Sequence, residues 1–438
     1  MSVRITFDTW ADDYASRIDG MRTSAVRDLF GAASRDDVIS LSGGMPDVRL
    51  VPTKEVADAA HKAILETGTV ALQYGSTEGR VEVRALVGEL MGEIGIRVKP
   101  ADVIMTAGAQ EALDILAKTF IDPGDTIICE GPTYLGALQA FTAYQPNIVC
   151  IPLDDEGMRT DLLEEELRRL GKKGAKFIYT IPNFQNPGGV TMSAERRRRL
   201  VELSKEYEIL LVEDDPYGRL RFEGGHQLPL RSLDEDVVYL GTFSKIFGPG
   251  LRLGWVVAPP PIIERFSMVK QGSDLSGSPF TQVVVEEYFA TSDWHKTVQK
   301  QTLAYHQRRD AMLEALEEFF PSEATWTHPE GGFFIWVTLP TYVDTAAMLP
   351  EALECGVTYV PGDGFFPDGR GRNSMRIAFC YEAPEDLREA VRRLGEVIES
   401  KLEMYRAFIE AGAILPASAL EVGKKSKTTS TRGDSDGA

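Results

Sequence analysis

Four cysteines in 438 residues, none in a C-x-x-C pair, are too few and too scattered for a disulfide scaffold. Cys129, Cys150, Cys355 and Cys380 read instead as reduced thiols, and the compartment they predict is the cytoplasm. Histidine is nearly as scarce. His61, His226, His295, His306 and His328 make no H-E-x-x-H or H-x-x-x-H pattern, so no metal site is expected. Basic residues are in deficit: 47 Lys and Arg against 66 Asp and Glu leave a net charge of −19. Such a chain repels phosphate backbones and anionic headgroups, which argues against nucleic acid and membrane surfaces as main partners. The stretch MSVRITFDTWADDY lacks an apolar segment and carries acids early, so no signal peptide is expected. One uncharged run, Gly131 to Leu153, has the length of a bilayer span. Its prolines (Pro132, Pro146, Pro152) and amides read as loop, helix and strand inside a core.

What is present is ordinary globular material, 43% hydrophobic and 26% charged, in a chain long enough for two or three domains at roughly 150 residues each. Residues 1–50 read as an N-terminal arm, with a helix near Thr23–Ala33 and a Gly/Pro loop, LSGGMPD. A helix over 53–66 follows, with Thr53 as its expected N-cap, and another over 81–94. From residue 101 the pattern becomes strand, turn, helix, repeated. Seven apolar runs (VIMTAG, DTIICEG, NIVCIPL, KFIYTIP, EILLVEDD, VVYLGTFSK and RLGWVVAP) predict an α/β fold with a mainly parallel seven-stranded sheet flanked by helices. Ser193 is placed to cap the helix AERRRRLVELSKEY. After about residue 260 the texture changes: a helix-rich stretch (281–320) leads to a smaller α+β domain with GGFFIWVTLP, a helix near 345–355, SMRIAFCY and a last helix over 385–410. The expected divisions are 51–300 for the large domain and 301–412 for the small one. The polar stretch 413–438 reads as a disordered tail.

Ligands of open α/β sheets bind beyond the carboxyl ends of the strands, so the residues there carry the information. Ala109 and Gln110 open a helix directly after a strand, where free N–H groups suit a phosphate as well as an ordinary turn. Tyr134, in EGPTY, is placed either to cover a flat ligand or to fill the core. Asn186 sits in PNFQNPGG, a turn-rich loop that alone says little. VEDDPYG ends a buried strand in three acids, Glu213, Asp214 and Asp215. Those acids require either solvent or a cation. GTFSKIFGPGLRLGW is the most specific segment. Lys245 follows a strand, with Thr242 and Ser244 before it and Arg252 after it. A lysine desolvated near other cations loses its proton and becomes a nucleophile toward carbonyls. The segment's G-x-G-x-x-x-G misses the dinucleotide spacing by one residue and follows no first strand. One ligand uses all of these features: a phosphate, an aldehyde for Lys245, a basic ring nitrogen for an acid and a flat face for Tyr134. It is pyridoxal 5′-phosphate.

The ordered set AGAQEALD, PTY, PNFQNPGG, EDDPYG, TFSKIFGPGLRLGW and SMRIAFC resembles the class I/II aminotransferases of pyridoxal-phosphate fold-type I. It is most similar to the branch of 2-aminoadipate (LysN-like) and kynurenine/aromatic aminotransferases, and SGGMPD and LQYGSTEGR fit that branch too. The resemblance runs from about residue 15 to residue 405. It implies that Lys245 carries the cofactor and that Asp214 pairs with its ring nitrogen. It implies further that Asn186 and Tyr217 bond the ring 3′-oxygen and that Tyr134 stacks on the ring. The phosphate cradle is then Ala109, Gln110, Thr242, Ser244 and Arg252. Tyr74 matches the tyrosine that reaches the neighbouring subunit's phosphate, which implies a homodimer with shared sites. Arg376 matches the arginine for the substrate α-carboxylate, and Gly44 the loop glycine over the substrate.

The implied activity is transfer of an α-amino group between an amino acid of 2-aminoadipate, aromatic or branched-chain type and a 2-oxo acid such as 2-oxoglutarate, with ping-pong kinetics. A lyase or decarboxylase on the same fold is the alternative. A regulator with an aminotransferase-like sensing domain is a more remote one, since only about forty residues precede SGGMPD. Arg27, in TSAVRDLF, is either the partner of an acidic substrate side chain or a solvated helix residue.

Overall fold

The computed structural model describes residues 8–18, 20, 21, 35 and 37–411. The helix expected near Thr23–Ala33 and the tail from residue 413 lie outside them. β1 (Ile39–Ser40) is followed by the helices Thr53–Leu65 and Val81–Glu93. Thr53 is the first helical residue rather than the cap. Pro52 takes the cap position and offers no side-chain acceptor, so the first turn has no side-chain cap.

The seven expected strands all form. They are β2 (Val103–Thr106), β3 (Thr126–Gly131), β4 (Asn147–Asp154), β6 (Phe177–Thr180), β7 (Leu210–Asp214), β8 (Val238–Thr242) and β9 (Gly254–Val257), joined by a two-residue return strand, β5 (Gly157–Met158). Their order across the sheet is β2-β9-β8-β7-β6-β3-β4-β5. β3, β4, β6, β7 and β8 pair in parallel, whereas β9 runs against both β8 and β2. Every residue of β2, β6, β8 and β9 is buried, which is why they read as unbroken apolar runs rather than alternating ones. Helices pack on both faces. Ser193 caps Ala194–Tyr207 by accepting the Arg196 N–H, as expected.

The C-terminal part forms a four-stranded antiparallel sheet from β10 (Thr325–Trp326), β11 (Phe334–Thr338), β13 (Val360–Pro361) and β14 (Ser374–Ala378), in the order β10-β11-β14-β13. β1 pairs in parallel with β12 (Val357–Thr358), which joins residues 39 and 40 to this part. The helix Trp294–Phe319 runs unbroken through residue 300, where the sequence reading puts a boundary. Its first residue packs on Phe289 at 5.1 Å between ring centroids, and its later turns lie along the helix Pro384–Glu410. One continuous helix therefore serves both parts, and no loop marks the change.

Candidate active site

The carboxyl ends of β2, β3, β6, β7 and β8 open into one cavity of about 320 Å³, which the small sheet and the loop 42–47 close from the other side. Gly44, Ala109, Gln110, Tyr134, Asn186 and Asp214 line it. So do Tyr217, Thr242, Ser244, Lys245, Arg252 and Arg376.

At one end, the helix Ala109–Phe120 points its N-terminus at the cavity. Gly108 precedes it at φ +82, and a Cβ there would lie 2.8 Å from the Arg252 Nη2, so both backbone and space require glycine. Arg252 Nη2 donates to the Ala107 carbonyl at 2.9 Å. Thr242 and Ser244 are linked hydroxyl to hydroxyl at 2.9 Å. Two N–H groups at a helix start, two hydroxyls and a guanidinium converge as a cup for a dianion.

In the middle stands Asp214, the last residue of β7, 2% exposed. Its Oδ2 accepts the Tyr179 hydroxyl at 2.7 Å, and its Oδ1 is buried with no partner. Burial lifts its carboxyl to about 7, against the Tyr179 bond and the nearby Lys245, which favour the charged form. Asp215 faces the other way, accepting Asn183 at 3.0 Å and the Tyr239 hydroxyl at 3.1 Å.

Lys245 Nζ donates to the Gly44 carbonyl at 2.9 Å and lies 5.8 Å from the Tyr217 ring and 5.5 Å from the Phe333 ring. Burial draws its amine down to about 8. Arg376 and Arg252 push the same way, and Cys380 and Asp214 oppose. Arg376, at the centre of β14, donates to Asn186 Oδ1 at 3.0 Å and to the Ser42 carbonyl at 2.8 Å. Its guanidinium lies 4.1 Å over the Phe334 ring, and its Nε is buried without a partner. Gly44 leaves room for that ring: a Cβ there would meet Phe334 Cζ at 2.7 Å.

Two of the sequence-derived residues are not in the cavity. Tyr74 is 80% exposed on the surface, and Arg27 lies outside the described residues. Other residues in or behind the cavity were not singled out in the sequence. Tyr179 hides within the apolar run FIYT. Glu130, buried and lifted to about 7 by that burial, accepts the Ile181 N–H and the Gln185 amide, and so ties the loop bearing Tyr134 to the loop bearing Asn186. Met45 and Phe334 also line the cavity, and nothing in their local spacing signals it.

The family model for aminotransferase class I and II matches residues 36–394. The chain is 45% identical to aromatic-amino-acid aminotransferase 1 of Thermococcus litoralis, over 89% of this chain and 95% of that protein. It is 36% identical to 2-aminoadipate transaminase of Thermus thermophilus, over 90% and 99%. A solved structure of Pyrococcus horikoshii kynurenine aminotransferase, in complex with PMP and kynurenine, superposes with a TM-score of 0.86 at 43% identity, covering 90% of this chain and 98% of that one.

Proposed function

The chain belongs to the class I and II aminotransferases, and from that membership we propose how its own residues bind pyridoxal phosphate and move an amino group. The observation that carries the reading is the buried, unpartnered Oδ1 of Asp214 on the cavity wall, level with a lysine whose amine is drawn down to about 8. A carboxylate held this way is costly alone and is stabilised by a cation, which a protonated ring nitrogen supplies. The donor set therefore fits the cofactor. The cup of Ala109, Gln110, Thr242, Ser244 and Arg252 would hold its phosphate, Tyr134 would cover its ring, and Asn186 and Tyr217 would bond its 3′-oxygen.

When bound, pyridoxal phosphate supplies an electron sink that makes the α-proton of an attached amino acid labile. Asp214 keeps the ring-nitrogen proton in place through Oδ1. Arg376 takes the substrate α-carboxylate, for which its unpartnered Nε is a free donor. Asn186, whose Oδ1 is occupied by Arg376, would have its amide N–H left for the ring oxygen, which would link substrate and cofactor positions through one side chain. Lys245, released from the Gly44 carbonyl, accepts and returns the proton at the substrate α-carbon as a general base and acid. Met45, Leu135 and Phe334 give the cavity an apolar lining, which supports aromatic and branched-chain amino donors.

The active form is a homodimer in the cytoplasm. Leu72 and Tyr74 are 75% and 80% exposed, and three residues after Tyr74 the Thr77 hydroxyl donates to the carbonyl of exposed Leu275 at 2.9 Å. This apolar strip suits a second copy, whose phosphate cup Tyr74 would reach. The test of the site is borohydride reduction of the pyridoxal-phosphate-loaded protein followed by peptide mapping. A pyridoxyl group on Lys245 is expected, and a label on any other lysine overturns the assignment.

A further inference from the structure

We propose that Tyr179 is a positioning residue of this site, its phenol clamping the Asp214 carboxylate so that Oδ1 is presented to the ring nitrogen of pyridoxal phosphate. The inference rests on the reading above and adds a residue to it.

The argument begins in the sheet. β6 and β7 pair in parallel with Tyr179 opposite Val212, so Asp214 lies two residues further along, level with the reach of a tyrosine but not of a shorter side chain. The Tyr179 ring cannot swing. It is wholly buried and meets Phe141 edge-on, with centroids 5.4 Å apart and planes at 82°. Its hydroxyl therefore arrives at a set point, 2.7 Å from Asp214 Oδ2. A carboxylate turns easily about its last bond, because that torsion has broad minima. One short bond to Oδ2 removes that freedom and leaves Oδ1 as the oxygen for the cofactor.

The bond also favours the charged form. A phenol at this place donates, and an O–H to a carboxylate is among the stronger hydrogen bonds. The groups acting on Asp214 are few. Asp215 opposes its ionisation, while Lys245 and the Tyr179 hydroxyl favour it. Burial is the largest cause holding the proton on the Tyr179 oxygen, and Asp214, Glu130 and Tyr134 act in the same direction. The hydroxyl is thus a neutral donor that favours the ionised form of an enclosed acid against its burial.

The test compares wild-type protein with Tyr179→Phe, which keeps the ring and deletes only the donor. Two readouts are taken on loaded protein: the pH midpoint of the visible absorbance of the lysine-bound cofactor, and the pyridoxal phosphate dissociation constant by equilibrium dialysis. Losing the donor makes Asp214 more basic, so the shared proton moves from the ring nitrogen toward the acid. A less positive ring raises the absorbance midpoint. We expect a rise of about one pH unit, and a dissociation constant weaker by roughly tenfold to a hundredfold, the range for a lost bond to a charged group. A variant that melts earlier but keeps the wild-type midpoint and affinity overturns the proposal, because a plain core tyrosine would behave that way. Should Tyr179→Phe fail to fold, 3-fluorotyrosine at position 179 carries the test. Its more acidic phenol donates a stronger bond in the same packing, so the midpoint should fall, and an unmoved midpoint overturns the clamp. Wild-type protein that takes no label at Lys245 tells against the site itself rather than against Tyr179.

Discussion

The free amine of Lys245 can be weighed before any cofactor is added. Its ammonium falls from an ordinary value of 10.5 to about 8, with burial as the largest cause. At pH 7 that leaves about one amine in ten unprotonated, against roughly three in ten thousand for an unperturbed lysine, a gain of about 300-fold. The perturbation is pH, stepped from 6.5 to 10.5 on cofactor-free protein. The assay is trace labelling with acetic anhydride, with the Lys245 peptide quantified against that of Lys54, whose side chain is 92% exposed. The Lys245 labelling rate should rise with a midpoint near 8 and flatten above it. Stability must follow the same titration. The unfolded chain binds the proton more tightly than the folded one, so between pH 8 and 10.5 unfolding takes up a proton and stability rises with pH. Below pH 8 the full penalty is present, on the order of 3 kcal/mol, and it is gone above 10.5. A Lys245 midpoint near 10.5 would refute the claim that burial, and not the cofactor, activates this lysine.

Two more outcomes are expected. Asp214→Asn should cost on the order of a hundredfold in kcat while the protein still takes up cofactor, because an amide cannot hold the ring proton. Asp215→Asn, whose bonds run to Asn183 and Tyr239, should cost about 1–2 kcal/mol of stability and little activity; the reverse ranking in steady-state kinetics would place the wrong acid at the ring. The active species should sediment as a dimer, and Tyr74→Phe should weaken cofactor retention by roughly tenfold, read by dialysis. Full activity from a monomer would defeat the shared-site arrangement.

Much of this site was legible because its chemistry sits next to strongly patterned strands. β7 ends at Asp214 and β8 at Thr242, both within apolar runs that stop at polar residues. Lys245 and Arg252 stood out by residue type and place. Tyr179 and Glu130 were not legible, for a different reason. Both lie inside or at the end of apolar runs, where a tyrosine or a lone acid has the same local signature whether it packs, caps or clamps. Their roles come from partners 35 and 55 residues away, Asp214 and Gln185.

By itself the sequence determined the alternation of strand and helix and seven of the eight strands of the large sheet, which follow from local periodicity and from the residue types that break it. The roles of the groups at its carboxyl edge came from the resemblance of their motifs to the family. The resemblance pointed to Asp214 of the two adjacent acids, and the tertiary structure shows why that one lines the cavity. Successive strand residues point to opposite faces, and which face is the cavity depends on the neighbouring strands. It alone decided how Arg252 joins the cup: β9 runs against its neighbours, so Arg252, two residues before its start, lies at the same edge as the ends of the parallel strands. It alone brought Arg376 and Asn186 within 3.0 Å across 190 residues of chain. A contact at that separation has no local pattern to announce it, because it exists only once two sheets have packed against each other.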